Sequence, residues 1–459
     1  MKKKGVRTVE LPNRFVERMT LLCGDEWRGE GEKAVRGLRV NTLKCSLEKA
    51  KRDLPLGNRL PFSPTGFAAP DDLKAGKDPF HHAGAYYMQE PSAMSAVTVL
   101  DPRPGERVLD LCAAPGGKST QIAAALDGKG FLWCNEYVSK RAHILVQNLE
   151  RCGVANAVVT SMDTAALCPP LSGWFDAVLV DAPCSGEGMF RKEPDALAMW
   201  SEENVRLCAQ RAASILDNAA LTVREGGRLL LSTCTFAPEE NECQVAYFLK
   251  RHPDFELERI DVPFGRAGFS AEAVAPFATE PLPEVDLTAT RRIFPADGGE
   301  GHFLALFCRK GEGERANLPC WQEEKEAAAV RKAVAEWAGE LPEGVLCAAG
   351  DIWRLMPPET PRLAGVSYRM AGVAVAEQRK NRLEPTHAWA MAFGTRAKQQ
   401  LSLPMHDQNL PHFLRGESLP YTGRGYAAVM LDGVPVGFGK GDGRQLKNHY
   451  PKGLRLLGY

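Results

Sequence analysis

The sequence predicts an α/β fold: a parallel, doubly wound sheet with a smaller module toward each end of the chain. Between residues 106 and 235, apolar strand-like runs alternate with helical patterns, which is how parallel sheets with helices on both faces are built. Those runs are continuously apolar, as strands buried on both faces are, rather than alternating. Outside this block the composition shifts toward turn residues and helix formers, marking separate modules.

Residues 1–80 contain "LRVNTLKCSLEKAKRDL" (38–54), read as a strand and a helix of a small α+β module. "ERVLDLCA" (106–113) is the first buried strand, and "KSTQIAAALDG" (118–128) the helix after it. "GFLWCNE" (130–136) is the second strand, ending in Glu136. In the following helix, "SKRAHILVQNLERCG" (139–153), Ala142, Leu145, Val146 and Leu149 share one face and Gly153 stops it. "NAVVTSMD" (156–163) is the third strand, ending at Asp163, and "FDAVLVDAP" (175–183) the fourth, bringing Asp181 to its end. A long helix from about Glu202 to Arg224 leads into the fifth, "GGRLLLSTCT" (226–235). "FELERIDV" (255–262) and "GHFLALFCRK" (301–310) read as partly antiparallel strands closing the same sheet. "EEKEAAAVRKAVAEWAGELP" (323–342) begins a connector. Near the end, two short strands flank the turn Asp432-Gly433. The expected domains are residues 1–80, 81–311, 312–395 and 396–459.

A chain of 459 residues predicts about three domains. Lysine plus arginine equals aspartate plus glutamate, 57 each, which excludes a uniformly basic coat but permits basic patches. The 13 cysteines include no C-x-x-C pair, so no metal is expected, and most read as reduced core thiols. The segment "MKKKGVRTVELPNRF" has no apolar stretch behind its charges, and no apolar run reaches the ~18 residues of a membrane span. A cytoplasmic protein without membrane contact is expected.

The stretch "VLDLCAAPGGKST" (108–120) resembles half of a phosphate loop. Gly117, Lys118 and Ser119 fit, but Cys112 stands where the first glycine belongs, and a side chain there would crowd the turn. This counts against an NTPase. The strand ends offer another reading. Glu136 at the second strand suits two ribose hydroxyls, and Asp163 at the third suits an adenine amino group. Each acid alone could equally be a solvated strand end. Around one pocket, with a helix start beside them, they suit a nucleoside without a phosphate chain: S-adenosylmethionine. Cys184 and Cys234 also follow neighbouring strands. Each alone reads as a core cysteine; paired beside a methyl-donor pocket, they suggest covalent catalysis on an electron-poor ring.

Five segments then resemble the RNA cytosine-5 methyltransferases of the Nol/Nop/Sun group: "RVNTLK" (39–44), "YMQEPSAM" (87–94), "DLCAAPGGK" (110–118), "DAPCSGEG" (181–188) and "STCTFAPEENE" (232–242). "GEGMFRKEP" (186–194) and the tail "KGDGRQLKNHYPKGLR" resemble its bacterial small-subunit rRNA branch, RsmF. The resemblance implies a class I Rossmann-like methyltransferase sheet, an RRM-like N-terminal module and a C-terminal PUA-like RNA-binding domain. It implies that Cys112, Ala113, Ala114, Pro115, Gly116, Gly117 and Lys118 hold the methionine part of S-adenosylmethionine, Glu136 the ribose and Asp163 the adenine side. Asp181 would line the site between cofactor and base. Cys234 would attack carbon 6 of cytosine and Cys184 would assist release. The DNA enzymes use the Pro-Cys thiol instead, so this order comes from the resemblance alone. The implied partner is RNA, either small-subunit rRNA or the assembled subunit, bound by a monomer. Lys440, Arg444, Lys447, Lys452 and Arg455, with Tyr450, would serve phosphate contacts and stacking. A non-catalytic RNA-binding factor is the rival reading.

Overall fold

The computed structural model describes residues 11–25, 27–28, 34–380 and 382–456. The segment MKKKGVRTVE, weighed above against a leader peptide, lies outside them. Among the described residues no helix is long and apolar enough to cross a membrane.

Three antiparallel strands open the fold, β1 (Gly37–Val40), β2 (Gly66–Ala68) and β3 (Tyr86–Met88), in the order β2-β1-β3. The helix Leu47–Asp53 follows β1, capped by Ser46. The earlier helix Asn13–Cys23 packs elsewhere: Phe15 meets Trp27, Phe190 and Trp200 edge-on, at centroid distances of 5.2, 5.2 and 5.9 Å.

The central sheet contains the five expected parallel strands: β4 (Arg107–Asp110), β5 (Phe131–Asn135), β6 (Ala157–Thr160), β7 (Phe175–Asp181) and β8 (Val223–Thr233). Their order is β6-β5-β4-β7-β8, so the winding reverses between β4 and β7, where ligands of such sheets bind. Alternate residues serve opposite cores. Leu109, Trp133, Val178 and Leu231 face one, while Val108, Leu132, Leu179 and Leu230 face the other. β9 (Phe255–Glu258), β10 (Arg266–Ala267), β11 (Arg291–Ile293) and β12 (His302–Arg309) extend the β8 edge antiparallel, as the closing strands were expected to do.

The stretch expected as a connector forms β13 (Val345–Ala349), β14 (Ile352–Met356), β15 (Tyr368–Ala371), β16 (Val373–Arg379) and β17 (Arg382–Pro385). Four of these make their own sheet, but β15 pairs with β6 and becomes the far edge of the central one. Gly372 makes the switch between sheets at φ +59°, and a Cβ there would lie 2.0 Å from Leu355 O. The last sheet holds β18 (Gln400–Leu403), β19 (Leu419–Pro420), β20 (Arg424–Leu431), β21 (Val434–Asp442) and β22 (Gln445–Asn448). Asp432 and Gly433 join β20 to β21 with φ 44° and 82°, the two positive values of a type I′ turn.

The two ends of the chain share one core. Leu38, Val40, Phe67 and Tyr86 pack in a single cluster with Phe413, Leu431, Val436 and Tyr450. Lys44 pins this junction by donating to the carbonyls of Met391 and Pro435. Burial pulls its ammonium down to about 7, from an ordinary value of ~10.4. Between those values the unfolded chain binds one more proton than the folded one, so Lys44 makes stability rise with pH. Melting wild type and Lys44→Met across that window should show the wild type gaining on the variant as pH climbs. A gap that stays constant would mean the amine remains charged throughout.

Candidate active site

β4 delivers Asp110 to the sheet's carboxyl edge, and the chain turns through Leu111–Gly116 into the helix Gly117–Ala125. Gly116 sits at φ +110°, and a Cβ there would lie 3.1 Å from Leu145 Cδ1. The turn is tied from outside: Arg141 donates to Ala114 O at 2.8 Å, and Asn148 to Pro115 O at 2.9 Å. With those carbonyls engaged, the helix start presents N–H groups that have no acceptor within the helix, a seat for a negative group. Beneath it, Arg39 is 1% exposed. It donates to Gln89 Oε1 (2.8 Å), Gly117 O (3.1 Å) and Thr120 Oγ1 (2.7 Å), which is how "RVNTLK" and "YMQEP" support the turn. Asp110 accepts from Ser119 Oγ at 2.6 Å through one oxygen, while Oδ1 is buried with no partner among the described residues. Burial pushes its carboxyl up to about 7. Cys112 is enclosed in the turn, and burial holds its thiol protonated.

Glu136 follows β5 directly and is 4% exposed, with Oε1 accepting from Val138 N–H at 2.9 Å. Asp163 sits differently from the expectation. β6 ends at Thr160 because the Asn135 side chain takes over, accepting from Met162 N–H at 3.1 Å and donating to Met162 O at 3.0 Å. Asp163 lies beyond, exposed, capping the short helix Thr164–Leu167.

Asp181 ends β7 across the point where the winding reverses. Its Oδ2 meets Lys118 Nζ at 2.8 Å and its Oδ1 accepts from Ser232 Oγ at 3.0 Å. Ser232 Oγ also lies 2.7 Å from His302 Nε2. Since the serine's one proton goes to Asp181, His302 must donate through Nε2, leaving Nδ1 without a proton and buried with no hydrogen-bond partner among the described residues. Burial, then the charge on Lys118, pulls His302 down to about 4. Burial works against ionisation of Asp181, but Lys118, His302 and two hydrogen bonds outweigh it, so its carboxyl stays below the usual range. Lys118 is therefore paired across the sheet, not offered to a phosphate.

Asp181 and Ser232 are register partners on β7 and β8, so Cys184 and Cys234, three and two residues further on, meet. Their sulfurs are 3.4 Å apart. The two thiols, alike in sequence, are not alike in place. The contact with Cys234, then burial, pushes Cys184 well above the ordinary thiol range. Lys118 is held in its charged form despite burial, by Asp181 first and also by Cys234.

Asp110, Arg39, Ser232 and His302 were not singled out from the sequence. Asp110 ends the first strand and obeys the same rule as Glu136 and Asp181, so that signal was present. His302 reaches the site only through the antiparallel pairing of β12 with β8, which no local pattern encodes. In the last sheet, Lys440 lies 4.8 Å from the Tyr426 ring and opposite Lys447 across β21 and β22. Arg444, Lys447 and Lys452 are exposed. Tyr450 is not available for stacking on RNA: it is 2% exposed, packed 5.5 Å from both Phe413 and His387.

Three family profiles match the chain: 16S rRNA methyltransferase RsmB/F over residues 97–308, the N-terminal domain of 16S rRNA methyltransferase RsmF over 11–91, and the methyltransferase RsmF PUA domain over 400–456. Ribosomal RNA small subunit methyltransferase F of Aeromonas salmonicida is 32% identical over 449 residues, 91% of this chain and 90% of that one. The Escherichia coli O157:H7 protein of the same name is 32% identical over 486 residues, 97% of each chain. A solved methyltransferase homologue from Pyrococcus horikoshii is 27% identical, with a TM-score of 0.56 over 66% of this chain and 96% of that one. NSun6 from the same organism, solved with the S-adenosylmethionine analogue SFG, shares the fold at 21% identity and a TM-score of 0.55, over 66% of this chain and 99% of that one. With relatives of this identity along nine-tenths or more of both chains, the chain belongs to the ribosomal RNA small subunit methyltransferase F family and is an S-adenosylmethionine-dependent methyltransferase.

Proposed function

We propose that the enzyme methylates carbon 5 of a cytosine in small-subunit rRNA through a covalent adduct between Cys234 and carbon 6. The observation that carries this reading is the thiol pair, 3.4 Å apart, brought together just beyond the ends of the neighbouring strands β7 and β8. Carbon 5 of cytosine is a poor nucleophile, and addition of a thiolate at carbon 6 pushes electron density onto it. Contact with Cys234 and burial hold the proton on Cys184, which leaves Cys234 as the proposed nucleophile. Held ionised, Asp181 can accept a hydrogen bond from the exocyclic amine of the base but cannot itself protonate N3. Lys118 beside it can. Cys184, on the neighbouring loop, is placed to take part when the carbon-5 proton leaves and Cys234 departs. The target base must leave its stack to reach thiols at the sheet edge.

The donor set fits S-adenosylmethionine, which when bound supplies an electrophilic methyl group. In the stretch Cys112–Lys118 the Ala113 N–H is taken by Asn135 O and Pro115 has none, and the N–H groups at the helix start suit the carboxylate, while the orphaned Asp110 oxygen suits the ammonium. The Glu136 carboxylate suits the ribose hydroxyls, and Asp163 remains the proposed adenine-side contact. Lys440, Arg444, Lys447, Lys452 and Arg455 on the C-terminal domain are the proposed phosphate contacts. Small-subunit rRNA or the assembled subunit as substrate, and a monomeric enzyme, belong to the same proposal.

Glu136→Ala should weaken S-adenosylmethionine binding roughly tenfold or more, because hydrogen bonds to a charged group contribute ~1.5–3 kcal/mol. Titration calorimetry giving an unchanged affinity would sink the ribose placement. With RNA substrate, Cys234→Ala should transfer no methyl group and form no adduct. Cys184→Ala should attack and then fail to release, so protein and RNA accumulate as one slow band on a denaturing gel. The reverse pattern would move the nucleophile to Cys184.

A further inference from the structure

Glu240, Asn241 and Glu242 close the segment "STCTFAPEENE", and all three are buried. Asn241 clasps the turn that carries Cys234, donating to Thr235 O at 2.9 Å and accepting from Thr233 Oγ1 at 2.7 Å. Glu242 receives Arg292 Nε at 2.7 Å. Glu240 reaches the other thiol's loop. Its Oε2 accepts from Ser185 N–H at 2.9 Å, and its Oε1 lies 2.5 Å from Ser185 Oγ. The row continues from Ser185 Oγ to Thr235 Oγ1 at 2.7 Å and from there to Glu187 Oε2 at 3.0 Å. Ser185 follows Cys184 and Thr235 follows Cys234, so this row bridges the residues next to both thiols.

Protons can be counted along it. The three oxygen–oxygen contacts need three protons, and the two hydroxyls hold only two. The third must sit on one of the carboxyls. Glu187 accepts N–H groups from Phe236 at 3.0 Å and from the Trp200 indole at 2.8 Å. Glu240 has one, from Ser185. Donors favour the ionised form, so Glu187 is the carboxylate and Glu240 keeps the proton. Burial pushes both carboxyls up, but hydrogen bonds from Trp200 and Thr235 and the charge on Arg18 oppose it at Glu187, while at Glu240 Cys184 adds to it and the carboxyl rises to about 9. The other groups around it are Cys208 on the helix Glu202–Thr222, and Glu239, which Arg18 of the first helix holds at 2.7 Å.

We propose that Glu240 is a positioning residue that braces Cys184, through Ser185, as a neutral acid, so that the loops bearing both thiols gain no negative charge before one of them ionises. The inference rests on the thiolate chemistry proposed above. An ionised Glu240 at this enclosed site would repel a thiolate and oppose its formation.

The test compares wild type, Glu240→Gln and Glu240→Ala as full-length proteins, with thermal melting to confirm folding. Methyl transfer from tritiated donor to RNA gives kcat and KM. Alkylation of Cys184 and Cys234 by iodoacetamide, followed peptide by peptide across pH, reads the thiols without turnover. Glutamine preserves both contacts to Ser185 and is neutral. It should restore kcat to within about threefold of wild type, while alanine lowers kcat roughly tenfold with little change in KM. The Glu240→Gln alkylation profile should follow wild type below pH about 9 and continue rising above it, where the natural acid ionises. A glutamine variant as impaired as the alanine variant would overturn the proposal, since the negative charge would then be required. So would an alanine variant with wild-type kcat and thiol reactivity. Nucleoside analysis of the wild-type product is separate: absence of 5-methylcytosine would defeat the cytosine reading, while the alkylation profiles would still decide the role of Glu240.

Discussion

The contact between Lys118 and Asp181 organises this molecule. It joins the turn after β4 to the end of β7 across the point where the winding of the sheet reverses, at 2.8 Å. Lys118 is mostly withdrawn from water and Asp181 partly so, and pairing and hydrogen bonding fix the neighbours of each. Asp181 takes Ser232, Ser232 takes His302, and so β8 and β12 are locked to β7 at their functional end. Lys118 holds its helix in place over Arg39, whose own donors reach Gln89, Gly117 and Thr120. The cofactor side and the thiol side are therefore one electrostatic unit, and a change to either is felt by the other.

Much of this was legible in the sequence, for a local reason. β4, β5, β7 and β8 are apolar runs that a sheet must bury on both faces, and Asp432-Gly433 is a turn whose chemistry is written in two residues. The strand-end acids and the two thiols were visible as positions. What stayed hidden depends on contacts between distant segments. β15 joins the central sheet because Gly372 can make a turn that no periodicity announces. β6 stops short of Asp163 because a side chain from β5 replaces its backbone partners. Tyr450 looks like a surface aromatic among basic residues, yet it fills a core formed with residues from the other end of the chain. The proton held on Cys184 likewise comes from its contact with Cys234 and its burial, not from its motif.

The C-terminal sheet presents its basic residues beside a buried aromatic cluster rather than among exposed rings. Lys440 lies over Tyr426, and Tyr426 in turn neighbours Trp337, Phe438 and His449. Such a surface favours the evenly spaced charge of a nucleic-acid backbone over unstacked bases. On the proposed chemistry, selection among bases would fall to the thiol pocket, and placement along the RNA to the charged face.

The core shared by the first and last modules bears on synthesis. A ribosome delivers the chain from its amino end, and β1, β2 and β3 emerge hundreds of residues before Phe413, Leu431 and Tyr450. Until those arrive, the early strands are covered only from within their own module, by residues such as Ala50, Leu54 and Phe80, and Lys44 has neither Met391 nor Pro435 to hold. The amino-terminal module therefore completes its core only when the last module has been made. For that interval it is a natural client for a chaperone.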